Sequence, residues 1–292
     1  MLEGIHPNIL SLTAAVLIAV ARVLYQGALG YLSPTAITCV VNVVSLVFAF
    51  FLYWMSEGVD RWPIQGILWF VAVGLFGSLL GRYFSFVSQR LVGISRTSVV
   101  MQSVLVWSTA FGVFFLGERL DAGIIVGSLL IMLGGALLVH EQVEVRKEIP
   151  LIYYLAPLLT ALSFAVTFLL RRYGLAWIPS APVGMGIGNF SAIVVIGGIL
   201  CFSKQGTSCT QGGGSILFAL GGSIFNVAAA FCFWIAIQTG ELVQVVPINR
   251  LSVLFVIFFS WLFFRKKEAI TWRVVLGGVL SVAGAFTIVP GK

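Results

Sequence analysis

Ten apolar stretches, each about the length of a bilayer-crossing helix, constrain this chain more than any motif in it. They run over residues 8–30, 34–55, 65–88, 95–117, 121–140, 151–171, 180–202, 214–238, 242–264 and 270–289. Between them lie polar or helix-breaking segments such as Leu32-Ser33-Pro34, Ser56 to Pro63, Gly117 to Asp121, Glu141 to Pro150 and Ser203 to Gly213. A helix of about 20 residues spans the hydrocarbon core while satisfying its own backbone hydrogen bonds, which lipid cannot do for it. Barrel strands would be about ten residues long and would alternate in polarity, and these stretches do not. Only 9% of the residues are charged, against about 25% in a soluble domain. The expected fold is therefore an all-α integral membrane protein with ten transmembrane helices. Trp54, Trp62, Trp177 and Trp272 fall near stretch ends, as interfacial anchors do.

Within these stretches the charge pattern has three exceptions, Arg22, Arg82 and Arg250. None of the ten acidic residues lies in the helical cores beside them. A cation at bilayer depth costs roughly 2.5–3.5 kcal/mol even on insertion scales. An anionic ligand is the reading that supplies the missing counter-charge. The competing reading is a guanidinium that snorkels to the interface or caps helix carbonyls. Guanidinium stays charged and presents a planar fork to phosphate or carboxylate, so the residues fit an anion site chemically. Arg96 opens the fourth stretch, within snorkelling reach of water.

The chain also repeats itself. Phe218-Ala219-Leu220-Gly221 follows Val71-Ala72-Val73-Gly74, Phe231 and Phe233 follow Phe84 and Phe86, and Gly240 follows Gly93, all at an offset of 147. Gly277 and Gly284 follow Gly127 and Gly134, and Glu268 follows Glu118, at an offset of 150. Two five-helix halves result, 1–147 and 148–292, within one membrane domain. An odd helix number per half inverts the second copy, the arrangement of many secondary transporters with a midplane substrate site. At the offset of 147, Arg82 corresponds to Ala229 and Arg250 to Ser103, so neither arginine is a repeated scaffold position.

Phe115-Leu116-Gly117-Glu118-Arg119-Leu120 with Gly127 and Gly134, and Lys267-Glu268 with Gly277 and Gly284, resemble the drug/metabolite transporter superfamily, and its EamA-type branch in particular. The resemblance extends over almost the whole chain. It implies a ten-helix basket whose central cavity is lined by the first, third, fourth, sixth, eighth and ninth helices. It also implies a multi-pass protein of the plasma (inner) membrane with both termini in the cytoplasm. The chain departs from the family in its prolines: Pro247 lies further upstream of the glutamate than usual, and the fourth helix has none.

The substrate-binding candidates are Arg82 and Arg250, with Arg22 supporting, and the polar residues Tyr25, Gln102, Ser103, Asn226 and Asn249 near them. Gln102 and Ser103 are the repeat equivalents of Asn249 and Arg250. Asn226 and Asn189 are amides in apolar surroundings that need hydrogen-bond partners. They serve equally well as helix ties or substrate contacts. The function expected is a secondary transporter of a small anionic or zwitterionic metabolite working by alternating access. A flippase for a lipid-linked phosphate is the alternative. No metal site, cofactor or catalytic constellation is expected: the two histidines, His6 and His140, are far apart, and no G-x-x-x-x-G-K-[ST] loop occurs. Partners are then an anionic small molecule and membrane lipid, with no nucleic acid, in a monomer or homodimer.

Small residues four apart, Gly77 and Gly81, Gly123 and Gly127, Gly184 and Gly188, allow close helix approach within one bundle or across a dimer. Positive charge runs against the family orientation. Setting aside the three deep arginines, the connections on the N-terminal side hold five basic residues, Arg61, Arg119, Arg171, Arg172 and Lys292. Of the 17 in all, that leaves nine opposite, which leans toward external termini.

Overall fold

The structure, a computed structural model, describes residues 4–29, 31–55, 58, 61–92, 97, 100–140, 150–202, 213–263 and 272–288. These residues are helical with short connections, and no strand occurs among them. We number the helices α1 (Pro7–Leu29), α2 (Pro34–Trp54), α3 (Ile64–Leu91), α4 (Val104–Leu116) and α5 (Ala122–His140) in the first half. The second half contains α6 (Leu151–Trp177), α7 (Ala181–Phe202), α8 (Gly213–Thr239), α9 (Leu242–Arg250 continued by Ser252–Phe263) and α10 (Trp272–Ile288). Six of them, α1 to α3 and α6 to α8, are long and apolar enough to cross a membrane. The other four contain shorter apolar helices, Val104–Leu116, Ala122–Leu137, Leu242–Val256 and Leu276–Ile288. Arg96, Lys267 and Glu268 lie outside the described residues.

Local chemistry sets the helix ends. Ser33 caps α2 by accepting from the Ala36 amide at 3.2 Å, and Pro34 occupies the first turn, where its missing N–H costs nothing. α4 ends at Gly117, whose φ of 67° is the left-handed conformation that glycine adopts without a Cβ clash. That reversal aims Glu118 at the start of α9. Its two carboxylate oxygens accept from the Leu242 and Val243 amides at 2.9 and 3.0 Å, satisfying two otherwise open N–H groups of that helix. Burial pushes the Glu118 carboxyl above the usual carboxylate range, with the two amides pulling in the other direction.

Packing between the halves is reciprocal. α1 packs on α8 and α6 on α3; α2 packs on α8 and α7 on α3; α1 packs on α9 and α6 on α4. α2 with α7, α4 with α9 and α5 with α10 pair as equals. Each set is unchanged when every helix is replaced by the one five positions away. The α5–α10 contact shows the rule at residue level. A Cβ on Gly127 would lie 2.5 Å from the Gly284 carbonyl oxygen, and one on Gly134 would lie 2.6 Å from that of Gly277. Glycines matched in sequence thus cross-pair in space and bring the two backbones together. Gly77, Gly81, Gly184 and Gly188 also face neighbouring helices of the same chain, so packing within the bundle accounts for these small residues.

The outer surface is apolar. Phe50, Phe51, Phe114, Leu133, Phe190, Ile224 and Phe286 are exposed, along with Trp54, Trp62, Trp177 and Trp272. Such a surface suits lipid rather than water. The interior around Phe70, Phe168, Phe233, Trp234, Ile237 and Leu242 is buried and apolar.

Three local features differ from a plain succession of helices. The sequence ends the sixth stretch at residue 171, but α6 continues to Trp177. Arg171 and Arg172 are therefore inside a helix rather than in a connection, which corrects the positive-charge count for that side. Secondly, α3 has a π-helical segment, Gly74–Gly81. Thirdly, α9 breaks at Leu251, where the Leu251 amide bonds to the Ile248 carbonyl and the Leu254 amide to that of Leu251 in tighter three-residue turns. Residues 102–103 at the head of α4 turn in the same way, with the Ser103, Leu105 and Val106 amides reaching back three residues. The two breaks are adjacent under the repeat: at the offset of 147, Leu251 corresponds to Val104, the residue after 102–103.

Candidate functional site

One cavity brings together four of the arginines carried by the helices. It is lined from α1 by Ala14, Ile18, Arg22 and Tyr25, from α3 by Gly77, Ser78, Arg82, Ser85, Phe86 and Gln89, and from α6 by Phe164, Phe168 and Arg171. α8 contributes Asn226, Ala229, Ala230 and Phe233, α9 contributes Asn249 and Arg250, and Val41 and Met101 complete the wall. Its volume is about 150 Å³, the size of an engineered protein cavity that takes up benzene. Among the described residues, four arginines and no Asp or Glu line it.

Arg82 is the best-anchored of the four. It leaves the C-terminal end of the π segment, whose wider turn shifts the register of everything that follows. The segment forms where α3 meets α7 at backbone contact: a Cβ on Gly74 would lie 2.1 Å from the Gly188 carbonyl oxygen. One terminal nitrogen of Arg82 donates to Asn42 Oδ1 and also to Asn189 Oδ1, the latter at 2.9 Å. Each asparagine is oriented in turn by its own amide group, Asn42 donating to the Ser78 carbonyl at 3.2 Å and Asn189 to that of Met185 at 2.6 Å. Asn42 and Asn189 stand 147 residues apart, the repeat offset. Two matched side chains on α2 and α7 thus hold one arginine that has no match.

Two of the other three arginines, Arg250 and Arg171, have an Nε without a partner among the described residues. Arg250 is buried on the last turn before the α9 break, and its Nε has no hydrogen-bond partner among the described residues. Arg171 stacks over Trp234 at 4.6 Å and Phe168 at 5.8 Å, a cation–π arrangement that fixes the guanidinium plane. Its Nε is likewise buried and unpartnered. Arg22 is half-buried on α1.

Among the polar candidates, Tyr25 is buried, packs edge-on to Phe86 at 5.5 Å and reaches Ser223 at 3.5 Å. Asn226 lines the cavity. Asn249 also lines it and reaches the Ser11 carbonyl at 3.5 Å, beside a shorter tie from Ser11 Oγ to the Val245 carbonyl at 2.7 Å. Gln102 and Ser103 stand apart. Neither lines the cavity. Gln102 is buried against Gly135 of α5, where an added Cβ would lie 2.3 Å from its amide nitrogen. Their equivalence to Asn249 and Arg250 places them at the matching break, on the other side of the repeat. Asn189, open in sequence to either role, acts as a helix tie through Arg82.

Arg171 is the cavity-lining arginine that sequence reasoning missed. The pair Arg171-Arg172 reads as the end of a span when charge alone marks the boundary. Two signals point elsewhere: Trp177, an interfacial anchor, lies six residues on, and Phe164, Phe168 and Arg171 follow the i, i+4, i+7 spacing of one helix face. Arg172 does have a boundary role, donating at 2.6 and 2.7 Å to the Ile237 and Gln238 carbonyls near the end of α8.

The profile of the EamA-like transporter family matches the chain twice, over residues 7–140 and 151–289. No curated protein matches in sequence. One solved crystal structure has a TM-score of 0.78 at 18% identity, covering 97% of this chain and 98% of the other. At that identity the likeness concerns the fold.

Proposed function

The chain belongs to the EamA-like transporter family, a multi-pass membrane transporter of the drug/metabolite type, and from that premise we propose that it moves a small organic anion by alternating access. One observation supports this reading above the rest: four guanidinium groups line a cavity that no carboxylate among the described residues lines. Such a cavity attracts anions and repels cations, and low-dielectric walls strengthen both effects. Arg250 and Arg171 supply open donors, Arg82 a fixed charge, and Arg22 a further charge from α1. Asn226, Asn249 and Tyr25 add hydrogen bonds that orient the rest of the ligand.

The two halves, 1–147 and 148–292, provide the moving parts. The reciprocal helix pairing allows the same set of contacts to be redistributed between them, and the breaks at 102–104 and 249–251 are points where α4 and α9 bend. The site lies among helices of both halves, as alternating access requires. The reading places the protein in the plasma (inner) membrane.

The test is uptake of radiolabelled anions into proteoliposomes. Arg250→Ala abolishes uptake under this reading while the protein keeps its helical content and its melting temperature. Unaltered anion uptake by the variant would remove the anion-site argument.

A further inference from the structure

We propose that the group bound by the four arginines is a phosphate monoester, a compact dianion, rather than a monoanion or a zwitterion. The inference rests on the anion-site reading and narrows its substrate class.

Charge balance comes first. One negative charge leaves three of the four guanidinium charges that line a cavity of about 150 Å³ unbalanced. A zwitterionic amino acid brings no net charge and adds an ammonium to a wall that has no carboxylate among the described residues. A phosphate monoester brings a charge of about −1.5 to −2 at neutral pH. Geometry comes next. Arg171 on α6 and Arg250 on α9 reach the cavity wall from two different helices, each with a buried Nε that has no partner among the described residues. Three terminal oxygens on one phosphorus offer acceptors in several directions at once, whereas a single carboxylate presents two in one plane. Stacking on Trp234 holds the plane of Arg171 and leaves its edge as the donor. Arg82 contributes charge, with one terminal nitrogen committed to Asn42 and Asn189. The uncharged part of the ester then rests on the aromatic wall of Phe86, Phe164 and Phe233.

The chemistry is shared by a water-soluble phosphate ester and by a lipid carrying a terminal phosphate. The experiment is equilibrium binding to the purified full chain, with glycerol 3-phosphate, dimethyl phosphate, succinate and alanine as probes. Glycerol 3-phosphate binds at least about tenfold tighter than each of the other three if the assignment holds. Arg171→Met loses about tenfold or more in that affinity, and Arg171→Lys, which keeps charge without the fork, falls between. In lipid nanodiscs, competition of glycerol 3-phosphate binding by phosphatidic acid assigns the lipid source, and indifference to it assigns the soluble one. Equal or tighter binding of alanine, dimethyl phosphate or succinate overturns the phosphate assignment and leaves the anion site standing where Arg250→Ala still abolishes that binding. Binding of glycerol 3-phosphate that survives both Arg171→Met and Arg250→Ala overturns the assignment as well. No binding by any of the three anions overturns both readings. The comparison of probes on the wild-type protein needs no variant to fold.

Discussion

α3 and α8 hold matching places in the helix pairing, and they differ in two respects that coincide. α8 runs as uninterrupted α-helix from Gly213 to Thr239, while α3 switches to π-helix over Gly74–Gly81. Directly after that segment α3 carries Arg82, where α8 has Ala229. Both residues line the cavity. The other arginines follow suit: at the same offset Arg22 faces Leu169, Arg171 faces Leu24 and Arg250 faces Ser103. Positions shared by the halves build the frame, as with Gly127 and Gly284 or Asn42 and Asn189. Positions that differ build the site. A symmetric frame lets the molecule exchange conformations, and an asymmetric lining gives it one ligand chemistry.

The largest effect expected from breaking this division is at Arg250. Arg250→Ala removes a buried guanidinium whose Nε has no partner among the described residues, so anion binding falls by about a hundredfold or more while unliganded stability changes little, since a charge on its own opposes folding. Next is a transfer of the charge across the repeat. The double variant Arg82→Ala with Ala229→Arg keeps the number of guanidinium groups, yet α8 lacks the π segment and the asparagine pair that hold Arg82. Uptake in proteoliposomes stays below about a tenth of wild type, whereas recovery beyond that would show that position within the halves is unimportant.

The frame is tested by Asn42→Leu with Asn189→Leu. Loss of hydrogen bonds to a buried charge costs about 1.5–3 kcal/mol for each bond, read as a fall in melting temperature, and anion affinity drops with it because Arg82 is no longer held. Gly127→Leu inserts a side chain where Gly284 allows no room and destabilises the α5–α10 contact by about 1–3 kcal/mol, with ligand specificity unchanged. The smallest effect concerns Glu118. Its folded carboxyl titrates above its unfolded value, so the proton is bound more tightly in the folded chain. The stabilisation is therefore complete below the unfolded value and is lost as pH rises through the folded one. Wild type gains melting temperature relative to Glu118→Gln as pH falls from about 7 toward about 4.5; a difference that is constant with pH would contradict the assignment.

The sequence shows the frame more readily than the site, for physical reasons. Apolar length and the glycine repeat mark the helices because lipid imposes both. The deep charges Arg22, Arg82 and Arg250 stand out against that background, and all three reach the cavity. Arg171 is hidden by its neighbour Arg172, since two adjacent charges look like a water boundary until Trp177 is weighed. Gln102 and Ser103 are drawn in by their match to Asn249 and Arg250, yet the repeat puts them at the opposite break. The π segment and the sharing of Arg82 by Asn42 and Asn189 depend on α2, α3 and α7 meeting in space. The offset of 147 between the two asparagines was the one trace of it along the chain.

The central claim is that an arginine-lined cavity without a carboxylate selects anions. Thermal stabilisation of the purified protein by size-matched anionic, neutral and cationic compounds, in wild type and Arg250→Ala side by side, tests it most directly. The account predicts that anions alone raise the wild-type melting temperature and that the rise disappears in the variant. Equal stabilisation by neutral or cationic compounds, or a rise that persists in Arg250→Ala, would contradict it.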